Sequence, residues 1–158
     1  MFNIFKKRQP NKPVSGGLIA YYGLEEWWKN ELTETERKTV EEVYGTLTFG
    51  NVYSRRESCF GFVSNLLGWF HKPEYFQIIN KIAKLADSMV DSESDVLTKH
   101  FYFLNKIRAY YPCRKQFPEA LDMVIKACED QISISKEAAV AFLEEEVRYL
   151  GSFPFVAI

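Results

Sequence analysis

Apolar side chains recur at intervals of three and four residues over most of residues 59–150, and this period restricts the chain to helical folds. Such spacing places apolar side chains along one face of an α-helix, whereas a half-buried strand alternates apolar and polar residues. The clearest run is Cys59, Phe62, Val63, Leu66, Leu67 and Phe70. Similar runs follow over residues 76–90, 96–111, 121–132 and 139–150. The period therefore predicts an all-α fold whose helices share a core.

Capping and turn residues divide the chain into about seven helices. Thr33 and Glu36 have the spacing of a capping box, Pro73 suits a first helical turn, and Pro112 stops helical hydrogen bonding. Residues 45–57 contain turn residues and a brief alternation, so they form a long loop or a small hairpin, and we favour the loop. Because most connections are short, we expect the helices to pack as antiparallel pairs.

Composition also predicts three segments along the chain. Residues 1–18 form a basic flexible leader, residues 19–150 a single helical domain, and residues 151–158 an apolar C-terminal tail. We expect the tail to be extended and to dock on an apolar groove of its own domain or of a neighbouring chain, because Pro154 disfavours a helix there.

Charge is unevenly distributed along the chain. The leader carries Lys6, Lys7, Arg8 and Lys12 and no acid, whereas residues 119–158 hold eight acids and three bases. We interpret the leader as solvated, with weak contact to an anionic membrane as the alternative. The run Glu144–Glu146 is interpreted as a solvated helix face, with pairing to a basic partner as its alternative.

The overall balance of charge, thiols and hydropathy excludes several classes of protein. Twenty basic against 21 acidic residues argue against general nucleic-acid binding. Three cysteines without a CxxC pair indicate neither a disulfide framework nor a zinc site, which favours a reducing cytoplasm. The longest uncharged run, residues 58–71, is shorter than the roughly 18 residues that suggest a membrane span. We therefore expect a cytoplasmic protein without a membrane-spanning helix.

The sequence contains no motif that points to catalysis. His71 and His100 lie on different predicted helices, and neither has a cysteine or a second histidine at metal-ligand spacing. No nucleophile elbow and no glycine-rich phosphate loop in the required context occurs. We accordingly predict no catalytic, cofactor-binding or metal-binding residue and no bound cofactor. We interpret His100 as a core histidine whose ring nitrogens are hydrogen-bonded.

The helix over residues 96–111 is apolar almost all round, and it supplies most of the candidate binding residues. Such a helix either lies between neighbouring helices or lines a groove that receives a partner. Adjacent residues Trp27 and Trp28 point about 100 degrees apart on a helix, so only one indole should be a strong contact candidate. The candidate protein-binding residues are Tyr102, Phe103, Lys106, Tyr110 and Trp28. Burial within the same chain is the open alternative.

Several segments resemble known helical proteins. Residues 110–111, 117–120 and 124–132, with small residues Ala120 and Ala127, resemble the second half of a tetratricopeptide-like helical hairpin. Over residues 19–150, the chain resembles a group of uncharacterised bacterial and phage helical proteins with tetratricopeptide-like pairs toward their carboxyl ends. The segments that carry this broader resemblance are 22–28, 33–37 and 66–70.

The resemblance implies a helical-repeat architecture in the C-terminal half, and it implies no activity, ligand or catalytic residue. It also implies a further helical pair after the position where this chain ends, so the chain looks shortened. Combined with the residue-level reasoning, it predicts a module that binds another protein or peptide, rather than an enzyme. The alternative is a small structural or assembly subunit that self-associates through its aromatic faces.

Overall fold

A computed structural model describes residues 12–151, apart from the side chains of residues 147–151, and confirms the all-α fold class. Within that range there are eight α-helices, three short 3-10 helices and two strands of two residues each. The described part divides at Cys59 into two compact units. The tetratricopeptide-like pairing of the helices is not confirmed. None of the described helices is both long and apolar enough to cross a membrane.

The first unit holds three helices and the two strands. Its elements are β1 (Val14–Ser15), α1 (Gly17–Tyr22), α2 (Glu25–Asn30), α3 (Glu34–Tyr44) and β2 (Asn51–Val52). The predicted capping box begins α3: the Thr33 hydroxyl accepts a hydrogen bond from the Glu36 amide, and the Glu36 carboxylate accepts one from the Thr33 amide. Two amides at the start of the helix are thereby satisfied.

Helix α1 is the element that the sequence did not predict, and the loop after α3 holds its first turn in place. Gly16 and Gly17 both donate amide hydrogen bonds to the Gly50 carbonyl, and Ile19 donates one to the Leu47 carbonyl. The backbone of Gly17 has a φ of 71°, and a Cβ atom there would lie 2.2 Å from the Leu47 oxygen. Glycine is therefore required at this close approach.

Two predictions made from the sequence concern this region. Residues 45–57 form the favoured long loop apart from the two-residue strand β2, which pairs antiparallel with β1 rather than within a hairpin of this segment. The predicted flexible leader, residues 1–18, overlaps β1 and the start of α1, so ordered structure begins earlier than composition suggested. Residues 1–11, which carry Lys6, Lys7 and Arg8 and the membrane-contact alternative, lie outside the described residues, as does the tail over residues 152–158.

The second unit is a group of helices around one central helix. Its α-helices are α4 (Cys59–Gly68), α5 (Phe76–Asp87), α6 (Val96–Tyr110), α7 (Glu119–Ser133) and α8 (Ser135–Gly151), with 3-10 helices at Pro73–Tyr75, Val90–Ser92 and Tyr111–Lys115. The central helix is α6, which contacts α5, α7 and α8. It also meets α4, where Asn105 donates to the Ser64 carbonyl oxygen at 3.0 Å.

Contacts between side chains give the relative directions of these helices. Tyr110, at the end of α6, hydrogen-bonds Asn80 near the start of α5, whereas Tyr102 reaches Asp87 at the end of α5. Gln131, at the end of α7, donates to the carbonyl of His100 at the start of α6. Helix α6 is therefore antiparallel to both α5 and α7.

Candidate protein-binding surface

The structure buries all five residues that the sequence indicated as a binding surface. Tyr102 is 0% exposed, Tyr110 2%, Lys106 6%, and Phe103 and Trp28 8% each. These side chains are not accessible to a partner in this fold. The alternative, burial within the chain, is the one that the structure shows, and the four of these residues on α6 lie where that helix packs against its neighbours.

The polar atoms of the buried tyrosines are satisfied by helix α5. The Tyr102 hydroxyl donates to Asp87 Oδ1 at 2.6 Å, and the Tyr110 hydroxyl donates to Asn80 Oδ1 at 2.8 Å. Burial is the largest cause that raises the pKa of both tyrosines, and the nearby Asp87 carboxylate raises it further. The two phenols are therefore neutral hydrogen-bond donors that fix α6 against α5.

Lys106 is buried for a similar reason. Its ammonium nitrogen lies 2.8 Å from each carboxylate oxygen of Asp87. A buried cation needs a counterion, and the long lysine side chain reaches one at the edge of the core. The sequence did not reveal this pair, because the two residues are 19 positions apart on different helices.

The two adjacent tryptophans point in different directions as predicted, but the one that was expected to be accessible is the buried one. Trp28 is buried, whereas Trp27 is only half-buried. The angular argument correctly separated the two side chains, but the choice of Trp28 as the accessible one was wrong. The partly accessible indole in the first unit is therefore Trp27.

A row of exposed aliphatic side chains runs along α7. Ile132 is 71% exposed, Ile125 49% and Leu121 44%, and their spacing of four and seven residues places them on one side of the helix. The buried side is lined instead by Ala120, Val124 and Ala127. The apolar face predicted from the sequence is thus wider than the part that the neighbouring helices cover.

Helix α8 carries a second exposed apolar row. Leu143 is 63% exposed and Val140 57%, while Ala138 lies buried. An open depression along this helix is lined by Lys136, Glu137, Val140, Ala141 and Glu144. We refer to the exposed aliphatic residues of the two helices together as the α7–α8 surface. Its members are Leu121, Ile125, Ile132, Val140 and Leu143.

An aromatic cluster connects α8 to the start of α6. The Phe142 ring meets His100 at 5.6 Å and Phe101 at 5.8 Å, both edge to face. His100 Nδ1 is buried and has no hydrogen-bond partner among the described atoms, which differs from the predicted hydrogen-bonded core histidine. Phe101 and Phe142 remain partly exposed, so the cluster both holds α8 and adds aromatic area at the protein surface.

Two further features of the described residues concern ionisable groups: a second depression and a buried thiol. Another depression in the second unit is lined by Gly68, His71, Ile107, Arg108, Tyr111 and Pro112, and it contains a histidine but no carboxylate. Burial raises the pKa of the Cys59 thiol to about 11, so this thiol is a poor nucleophile at neutral pH. In the range that the structure covers, no group of three or more His, Cys, Asp and Glu could hold a metal ion.

The segments behind the tetratricopeptide-like resemblance lie in α6, in α7 and in the connection between them. Ala120 and Ala127 are buried in α7, which packs against α6. Small buried residues are compatible with a close helix pair, but they also occur in other helical folds. The resemblance to bacterial and phage helical proteins stays a prediction. No family model matches this chain, and neither a curated protein nor a solved structure matches it.

Proposed function

We propose that this chain is a module that binds a protein or peptide, and that the bound segment lies on the α7–α8 surface. The observation that carries the proposal is the pair of exposed aliphatic rows on consecutive helices. Single exposed apolar residues are common on protein surfaces, but groups in helical register indicate an interaction site. The surface suits a segment that presents several apolar side chains in a row.

Self-association is the second candidate function, and the charge distribution supports it. The chain has a basic amino-terminal segment and an acidic carboxyl-terminal region. Opposite charges on two parts of one chain favour contact between copies. In this role the protein is a small structural or assembly subunit, and the same aliphatic rows form the contact.

The proposal also includes the cellular setting and the wider architecture. A cytoplasmic location is supported by three free cysteines, which are typical of a reducing compartment. A bacterial or phage helical-repeat protein is supported only by the resemblance of the segments named above. A non-enzymatic role is proposed because the sequence contains no recognisable catalytic motif.

Affinity capture with matched variants tests the binding function. Leu143→Asp and Ile125→Asp place a charge on the α7–α8 surface, and Phe49→Asp places one on a still more exposed apolar residue of the first unit. We expect the first two variants to lose partners that the unmodified chain and Phe49→Asp retain. All three should stay folded, since exposed substitutions usually change stability by no more than about 0.5 kcal/mol. Capture that survives at Leu143→Asp and Ile125→Asp would contradict the proposal.

A further inference from the structure

The α7–α8 surface lies in a strongly acidic part of the chain. Residues 119–146 contain eight acids and two bases, a net charge of −6. One of these bases, Lys126, is in an ion pair with Asp130. This leaves seven acids against Lys136, and all seven acids are exposed. The charge around the surface is therefore available to a partner in solution.

The acids lie beside the aliphatic rows rather than on a distant side of the helices. At about 100 degrees per residue, Asp122 and Glu129 project within about 60 degrees of Ile125 on α7. On α8, Glu137 and Glu144 line the same depression as Val140. An occupant of this surface must therefore present apolar side chains with cations close beside them.

The chain itself contains a segment with this composition. Within residues 2–8, three apolar residues precede three consecutive cations, and no acid interrupts them. The apolar residues are Phe2, Ile4 and Phe5, and the cations are Lys6, Lys7 and Arg8. Both halves of the required chemistry thus occur within seven residues.

The length of this segment also suits the surface. In an extended form, seven residues span about 23 Å. The α7 row from Leu121 to Ile132 covers 11 helical steps, or about 17 Å. The apolar part from Phe2 to Phe5 spans about 10 Å of this row, and the cations that follow it can reach carboxylates along the remainder.

We propose that residues 2–8 of one copy dock on the α7–α8 surface of a second copy. This inference rests on the proposed binding function and names the occupant in its self-association form. The aliphatic rows bury the two phenylalanines and the isoleucine, which supplies most of the affinity. The carboxylates pair with the three cations, which selects this segment and accelerates the encounter.

Charge reversal in the full chain tests the contact by sedimentation over a range of concentrations. One variant reverses the segment, a second reverses the surface, and a third combines the two sets. The segment set is Lys6→Glu, Lys7→Glu and Arg8→Glu, and the surface set is Asp122→Lys, Glu129→Lys and Glu144→Lys. A matched control reverses three exposed acids elsewhere: Glu31→Lys, Glu74→Lys and Asp91→Lys.

We expect each single set to weaken the association constant at least about tenfold, because attraction becomes repulsion. The combined variant should recover association close to that of the unmodified chain, and the control should leave it unchanged. Raising the salt concentration from about 0.05 M to about 0.5 M should weaken the unmodified pair, because it shortens the Debye length. Circular dichroism of each variant verifies that the helices remain folded.

A chain that remains monomeric at every concentration would overturn this inference, and so would a combined variant that fails to recover association. Neither result decides the proposed binding function, which the capture experiment with Leu143→Asp tests separately. If capture depends on Leu143 while charge reversal has no effect on sedimentation, the surface binds a different protein and residues 2–8 are not its occupant.

Discussion

Replacing Asp87 should destabilise the protein much more than replacing Lys106, although the two residues form one ion pair. The difference follows from their unequal burial. The lysine side chain is 7% exposed, whereas the aspartate side chain is 48% exposed. Without its partner, the carboxylate still has access to water, but the ammonium group is left in the core.

The magnitudes follow from the contacts of each group. Asp87→Ala leaves the buried Lys106 ammonium group without its counterion, which should lower the free energy of unfolding by about 3 kcal/mol. This value is at the low end of the usual range because the site lies at the edge of the core. It also removes an acceptor of the Tyr102 hydroxyl, which adds about 1 kcal/mol. Lys106→Met keeps an apolar stem of similar length and should cost about 1 kcal/mol or less. At about 2 to 4 °C per kcal/mol, Asp87→Ala should lower Tm by about 8 to 16 °C.

Urea denaturation of the single variants and of the combined variant distinguishes this explanation from loss of a simple surface ion pair. The combined Asp87→Ala and Lys106→Met variant should be more stable than Asp87→Ala alone, because no unpaired cation remains. The reasoning is refuted if Lys106→Met is as destabilising as Asp87→Ala, or if adding it restores no stability.

Three further predictions concern the first unit. Gly17→Ala should lower the free energy of unfolding by about 2 to 5 kcal/mol in urea denaturation, since the new methyl group meets the Leu47 carbonyl. The control is Gly23→Ala, which has the same φ of 71° but open space around it, and it should lower the free energy of unfolding by only about 1 to 2 kcal/mol. Burial opposes ionisation of Glu41, but hydrogen bonds from residues 47 and 48 outweigh burial and lower the pKa of this carboxyl. The stability that the ionised Glu41 contributes is therefore present above about pH 4.5 and is lost as the pH falls through the pKa of the folded state. A fall in the protection factor of the Leu47 amide under acid, absent in Glu41→Gln, would verify this effect. Thr33→Ala removes one half of the capping box and should lower stability by about 1 kcal/mol in the same denaturation assay.

The helices that sequence predicted correctly are those whose signals are local. The apolar period over residues 59–70 and 76–90 indicates α4 and α5, and the Thr33 capping box marks the start of α3. Within each of these signals, successive residues lie no more than one or two helical turns apart. Helix α1 depends instead on carbonyl acceptors at Leu47 and Gly50, about 30 residues away in the chain. Two glycines at its start therefore suggested a break rather than a helix.

The candidate binding residues could not be placed from the sequence, because the period of a helix shows which sides are apolar but not which sides are covered. Helix α6 is apolar almost all round, and four neighbouring helices cover it. Burial of Lys106 depends on Asp87, a residue on another helix. The sequence gives no position for such a partner until the packing of α5 against α6 is known.

The exposed surface on α7 and α8 did leave one signal in the sequence, in the sizes of the apolar residues. The covered positions include Ala120, Ala127 and Ala138, whereas the neighbouring exposed positions include Ile125 and Leu143. Alanine lets two helices approach closely, and its small side chain is fully buried by that contact. Large aliphatic residues beside it stay exposed unless a partner covers them. A helix that has small residues on its covered side and large aliphatic residues beside them therefore has more apolar width than its own fold uses. That imbalance, together with the acids on the flanks, is the reason why we place the proposed binding at α7 and α8 rather than at the more aromatic α6.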